Sequence, residues 1–152
     1  MAIEEVRKEL VVDASAQHAF DVFTQKIGTW WPYAGHSISE TKGAKAVTVE
    51  IDPVVGGEIA ETSEAGKQYV WGRIKDWHPG ERIKFSWLMG LEEAEASEVE
   101  VTFAQEDEKC RVTLVHRQWD GYGEGARAKR DNYDKGWDFV FGQCFSGACG
   151  SA

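Results

Sequence analysis

No apolar run in the sequence approaches the roughly 18 residues that a membrane-crossing helix needs, so no helical span is expected. Residues Met1 to Arg7 contain no basic stretch leading into an apolar one; no signal peptide is expected and the chain reads as cytoplasmic. Cysteine is scarce and odd in number. Cys110, Cys144 and Cys149 make no C-x-x-C and no metal spacing, which fits reduced thiols in a cytosol. His18, His36, His78 and His116 stand far apart, with no H-x-H and no H-E-x-x-H, so no zinc site, metal or cofactor is expected. Basic residues are outnumbered, 17 Lys and Arg against 26 Asp and Glu, for a net charge of −9. That balance argues against nucleic acid, whose phosphates require clustered Lys and Arg, and against anionic membrane surfaces. With 3 Pro, no internal repeat and no low-complexity linker in 152 residues, the expectation is one globular domain over residues 1–152.

What abounds is the aromatic ring: 7 Trp, 7 Phe and 4 Tyr, more than the core of a small acidic chain strictly needs. Their placement follows from periodicity. Val6 to Val12 is rich in β-branched residues and bounded by Asp13, which predicts a strand. Ser15 is placed to cap a helix in which Ala16, Phe20, Phe23 and Ile27 share one face. Gly28 interrupts that pattern, and Trp30-Trp31-Pro32 ends it, because the residue before proline is pushed out of the α region. Two adjacent indoles there point different ways, one toward a core and one toward a rim.

Strands fill the middle. Ala46 to Ile51 is broken by Asp52-Pro53, and Gly56-Gly57 marks a turn before Glu58 to Thr62. Gln68 to Trp77 is a strand turned by His78-Pro79-Gly80. Arg82 to Leu88, Glu98 to Phe103 and Arg111 to Arg117 alternate cleanly, the mark of an antiparallel sheet with one face on a core. Gly121, Gly123 and Gly125 read as a flexible loop. From about Ala126 the period turns helical, with Tyr133, Trp137, Val140, Phe141 and Cys144 on one stripe. The order predicts an α+β architecture: one strand, two short helices, about six antiparallel strands and a long C-terminal helix.

Several pieces together carry a family resemblance. They are Ala16-x3-Phe20, Trp30-Trp31-Pro32, Asp52-Pro53-Val54-Val55-Gly56-Gly57, and Trp71-Gly72-Arg73-Ile74 running into Trp77-His78-Pro79-Gly80-Glu81-Arg82-Ile83. Trp87, Glu98 to Phe103, Val112 to His116 and Tyr133-x2-Gly136-Trp137 complete the set. The chain resembles the START-like (SRPBCC) superfamily, and within it the branch named for the activator of Hsp90 ATPase homologue 1 (AHSA1-like proteins). The resemblance implies a helix-grip fold, a curved antiparallel sheet wrapped around a long C-terminal helix, with a ligand cavity between them. The family's Gly-Gly-Thr turn reads Asp107-Glu108-Lys109-Cys110 here, a departure confined to a surface hairpin.

Candidate ligand-binding residues follow from both readings. Phe85, Trp87, Val101, Phe103, Leu114 and His116 face inward from strands, Trp137, Phe141 and Phe145 from the helix, and Trp30, Trp31 and Trp119 stand at the rim. The plain alternative is a solid core of normal density. His116 is either a hydrogen-bonding partner for a ligand oxygen or a core histidine satisfied by a neighbour; no second catalytic partner is visible by spacing, and no catalytic residue is named. Arg73 and Glu58 form either a buried pair that orients a ligand or a surface ion pair. The three glycines serve as a hinge at a cavity mouth or as an ordinary connection. Arg127, Lys129 and Arg130 are the densest basic cluster, facing an anionic group or solvent, and Glu92, Glu93, Glu95, Glu98 and Glu100 read as a solvated hairpin and strand edge. Phe139 falls off the helical stripe, and an exposed ring there offers a surface for a homodimer or other partner.

Three functions fit these residues. The first is a binding module for a hydrophobic or aromatic small molecule, with an uncharacterised role. The second, implied by the resemblance, is an interaction with the Hsp90 chaperone, although the N-terminal domain and the Trp- and Asn-rich motif of eukaryotic activators are absent from these 152 residues. The third is a cavity enzyme, a cyclase or hydrolase, toward which the residues lean least.

Overall fold

The computed structural model describes residues 3–33, 35–88 and 96–150. Strand β1 (Val6–Val12) leads into α1 (Ala16–Thr24), α2 (Ile27–Trp30) and α3 (Ile38–Thr41). Six strands follow: β2 (Ala46–Ile51), β3 (Glu58–Ser63), β4 (Gln68–His78), β5 (Arg82–Trp87), β6 (Ser97–Glu106) and β7 (Lys109–Arg117). They form one antiparallel sheet in the order β1-β7-β6-β5-β4-β3-β2, a meander whose last strand is joined by the first. A 3-10 segment, Trp119–Gly125, leads into α4 (Ala126–Phe139), a π-helical turn (Val140–Phe145) and α5 (Ser146–Gly150). The sheet curls around this C-terminal helix, the helix-grip arrangement.

Local chemistry accounts for most of these elements. Ser15 Oγ accepts the His18 backbone N–H at 3.1 Å and caps α1, whose Ala16, Phe20 and Phe23 are buried together with Ile27 of α2. Trp31, before Pro32, leaves the helix with an extended ψ of 128°. Two short helices were expected after β1 and three are present. The third is signalled by Ser37-x-x-Glu40: Ser37 Oγ accepts from the Glu40 N–H, and the Glu40 carboxylate accepts from Gly35 at 2.7 Å.

Two register shifts decide which rings of β4 point inward. One lies opposite Ile59 and Ala60, the other between Ile74 and Asp76. Each adds a residue to β4; the first, at Trp71, lets Trp71 and Ile74, three apart, both be buried, which strict alternation forbids. Between them Gly72 lies against β5, where any Cβ would collide with the Ser86 carbonyl oxygen.

The expected helical stripe is corrected in the same way. Cys144 is only half-buried, while Phe145 is in the core as expected. Core residues Trp137, Phe141, Phe145 and Cys149 recur every fourth position, a spacing that drifts off one face of an α-helix; the wider π turn at Val140–Phe145 brings them back. Phe141 and Phe145 stack at 5.4 Å. The three-glycine segment is also not a plain loop: it forms 3-10 turns, with only Gly123 at a positive φ of 70°.

The sheet's outer face carries charge. Glu98, expected in solvent, is buried under Arg117 at 2.9 Å and Lys75 at 3.3 Å. Burial alone would raise its pKa, but these cations hold it below the usual carboxylate value. Glu100 joins Arg117 at 2.9 Å, while Glu92, Glu93 and Glu95 lie outside the described residues. No helix among the described residues is long and apolar enough to cross a membrane.

Candidate functional site

A cleft of about 510 Å³ opens between α4 and the segment that follows α2. Its wall is aromatic: Trp31 from the end of α2, Trp87 from the end of β5, and Tyr133 and Trp137 from one face of α4. Trp87 lies 5.5 Å from Trp137, 6.1 Å from Tyr133 and 6.4 Å from Trp31, centre to centre. His36, Ser37, Asn132 and Lys135 supply polar groups, and Phe139, 42% exposed, packs against the His36 ring at 5.8 Å.

The segment over the cleft is pinned from beneath. Trp31 donates its indole N–H to the His36 carbonyl at 2.9 Å. The buried carboxylate of Glu61, on β3, accepts the backbone N–H of Ile38 at 2.9 Å and of Ser39 at 2.6 Å, the Ser39 hydroxyl, and the Trp71 indole N–H at 2.9 Å. Sequence reasoning missed Glu61. Its signal was a carboxylate on the inward phase of a strand, two residues from buried Ile59.

His116 lies behind the cleft's wall, fully buried. Its Nδ1 accepts the Trp137 indole N–H at 3.0 Å. An indole can only donate, so the neutral ring carries its proton on Nε2 and donates it to Ser97 Oγ at 2.7 Å. Ser97 in turn bonds the Tyr122 hydroxyl at 2.7 Å. Both ring nitrogens are therefore engaged by the protein, and burial lowers the pKa to about 3. The ring is neutral at every ordinary pH.

The expected ligand-binding residues separate into groups. Trp31, Trp87 and Trp137 meet at the cleft. Phe85, Phe103 and Phe141 are buried in the core, with Phe103 edge-on to Phe20 at 5.3 Å. Trp119, expected at the rim, is buried and donates to the His116 carbonyl at 3.0 Å. Trp30, half-buried, packs on Phe23 and Phe145 and donates to the Val22 carbonyl at 2.7 Å. Arg73 stands apart: its side chain, 47% exposed, pairs with Glu58 at 2.8 Å in the register Glu58–Arg73, outside the aromatic interior. The basic cluster serves the fold in part, since Arg130 donates to the Glu4 and Glu5 carbonyls and Lys129 lies 4.5 Å over the Tyr122 ring.

Tyr133 is the polar residue of the wall that sequence reasoning left on the helical stripe without a role. Burial raises its pKa, and the neighbouring Trp87 N–H pulls it back only in part, so its hydroxyl remains a proton donor at neutral pH. Among the described residues no three His, Cys, Asp or Glu side chains come together as metal ligands. The buried Cys149 thiol is pushed up to about 12 by desolvation and by nearby Cys110, which makes it a poor nucleophile.

A curled antiparallel sheet gripping a C-terminal helix around an aromatic cluster defines a START-like protein of the helix-grip class. The family model for activator of Hsp90 ATPase homolog 1-like proteins matches residues 13–143, and the chain belongs to that AHSA1 family. Among solved structures, it is similar to the anthrahydroquino-gamma-pyrone synthase Txn09, complexed with SUM, at 30% identity over 97% of each chain, with a TM-score of 0.68. Protein SSP2350 from Staphylococcus saprophyticus shares the fold at 16% identity over 95% of this chain and 90% of that one, TM-score 0.66. CalU16 from Micromonospora echinospora does so at 16% identity over 94% and 72%, TM-score 0.61. No curated protein gave a match.

Proposed function

We propose that this protein binds a planar, largely apolar small molecule in the cleft walled by Trp31, Trp87, Tyr133 and Trp137. The observation that carries the reading is the cleft: a concavity of about 510 Å³ with ring faces for walls and a few polar groups at its edge. Small-molecule sites have that composition and size. The exposed Phe139 then extends the apolar wall at the mouth, where it packs on His36. Residues of the packed core, Phe85, Phe103 and Phe141, support this wall and do not touch the ligand.

The neutral fluorophore phenylnaphthylamine tests the reading. It should bind saturably and quench Trp emission. Trp87→Ala and Trp137→Ala should each weaken it about tenfold or more, in line with loss of a large ring contact. Arg73→Ala should leave the affinity within about twofold, since that side chain pairs on the outer face. Absence of saturable binding, or equal sensitivity to all three substitutions, would refute it.

A second reading is ring closure of the bound molecule. The similarity to a pyrone synthase over 97% of both chains favours it, and Tyr133 is the proton donor the cleft provides. Conversion of ortho-hydroxydibenzoylmethane to flavone and water is a suitable assay. The phenol adds across the distal carbonyl, its proton passing to the carbonyl oxygen. The hydroxyl so formed leaves as water with a proton from Tyr133, and the adjacent CH2 gives up the proton that forms the ring double bond and restores the tyrosine. Tyr133→Phe should lose acceleration even at saturating substrate; no acceleration by the wild-type protein would remove this reading and leave binding intact.

A further inference from the structure

We infer that the cleft is built around a neutral acceptor oxygen, and that its ligand is a planar aromatic ketone or related carbonyl compound rather than a hydrocarbon. The inference rests on the cleft reading above and names the ligand's chemistry.

The buried indoles of this protein are otherwise satisfied. Trp31 donates to the His36 carbonyl, Trp71 to Glu61, Trp119 to the His116 carbonyl and Trp137 to His116 Nδ1. Trp87 is as buried as these, at 3% exposure, yet its N–H meets no acceptor in full hydrogen-bonding geometry, the Tyr133 hydroxyl oxygen beside it being a loose partner at best. Among the described residues the other such buried atom is Arg82 Nε, on the charged outer face, where its guanidinium already pairs with Asp76 and Glu100. An N–H removed from water without a partner is costly, and such groups are rare in folded proteins. This one belongs to a residue that walls the cleft.

A second donor stands beside it. The Tyr133 hydroxyl is also in the wall, on a ring 6.1 Å from that of Trp87, and as a loose hydrogen-bond neighbour the Trp87 N–H lowers its pKa against the larger effect of burial. A carbonyl oxygen has two lone pairs and can accept from both. The polar group at this end is neutral, because no buried cation faces these two donors: Lys135, which also lines the cleft, is exposed to solvent, and His116 behind the wall holds no proton to spare. A carboxylate would be desolvated there without compensation. The flanking faces of Trp31 and Trp137 suit the ring system that carries the carbonyl.

Acetylnaphthalene and isopropenylnaphthalene differ in one position, a carbonyl oxygen against a methylene, and so separate this inference from the reading beneath it. Both should bind the wild-type protein. Trp87→Phe, which keeps a ring and removes the N–H, should weaken the ketone about tenfold and the alkene by less than about twofold. Tyr133→Phe should show the same bias. In the wild-type complex the carbonyl stretch of the ketone should fall below its frequency in hexane, a measurement that needs no variant. Equal losses for both probes, with an unshifted carbonyl stretch, would overturn the inference and leave the cleft reading standing. Binding of neither probe would overturn both.

Discussion

Glu61→Ala should lower the unfolding free energy by about 4 kcal/mol, measured by chemical denaturation. The carboxylate is buried and accepts from Ile38, Ser39 and Trp71, so its removal leaves two backbone N–H groups, the Ser39 hydroxyl and an indole N–H without this partner. Each orphaned donor costs about 1–3 kcal/mol, reduced where water or local rearrangement satisfies it. Glu61→Gln keeps one acceptor oxygen but presents an amide NH2 to the other donors, so about half the loss is expected. Amide exchange should quicken at Ile38 and Ser39 before it does in β6 or β7, because the defect releases α3 first. Since α3 follows directly on His36 and Ser37, probe affinity should fall too. A variant with unchanged stability and unchanged exchange at Ile38 would show that the carboxylate does not hold this segment.

The second large effect is acid sensitivity that starts well above carboxylate pKa values. His116 has a pKa of about 3 when folded, against 6.5 for an unperturbed histidine, because burial disfavours its charged form. Above pH 6.5 neither state binds the proton and stability is complete. As pH falls below 6.5 the unfolded chain takes up a proton that the folded one refuses, so stability is lost down to about pH 3. The slope is about 1.4 kcal/mol per pH unit, or roughly 2 kcal/mol between pH 6.5 and 5. Glu98, Glu106 and Asp134, whose pKa values lie below the usual, remain ionised in that window and do not contribute. His116→Gln can still accept from Trp137 and donate to Ser97, but it does not titrate. It should flatten the profile between pH 6.5 and 5 whatever its stability at neutral pH. An unchanged slope would show that another group sets the acid limit.

The fold was largely legible in the sequence because its signals are local. Alternation along Glu98 to Phe103 and Arg111 to Arg117 matches the observed pairing of β6 with β7, in which Val101 faces Leu114. Ser15, Pro32 and the start of the last helix at Ala126 stand where capping and steric rules put them. Legibility failed where a single inserted residue shifts the phase. The first bulge of β4 turns Trp71 and Ile74 inward together, and the π turn leaves Cys144 half-buried. Neither shift is visible in a period, since each is forced by the partner strand or the packed interior. α3 was overlooked because four residues hold no periodicity, although Ser37-x-x-Glu40 announced its start.

The site divides in the same way. Composition and alternation alone determined that this chain has an aromatic interior under an acidic, charged surface, because burial of apolar rings and hydration of charges are properties of residue type and strand phase. Only the tertiary structure decided which rings are free to meet a ligand. Trp87 and Trp119 are both buried, yet the Trp119 N–H is satisfied by a carbonyl while the Trp87 N–H has only a loose partner in Tyr133. Which donor finds its acceptor depends on elements distant in sequence, β5, β7 and α4, arriving within about 3 Å of one another, and no local pattern encodes that distance.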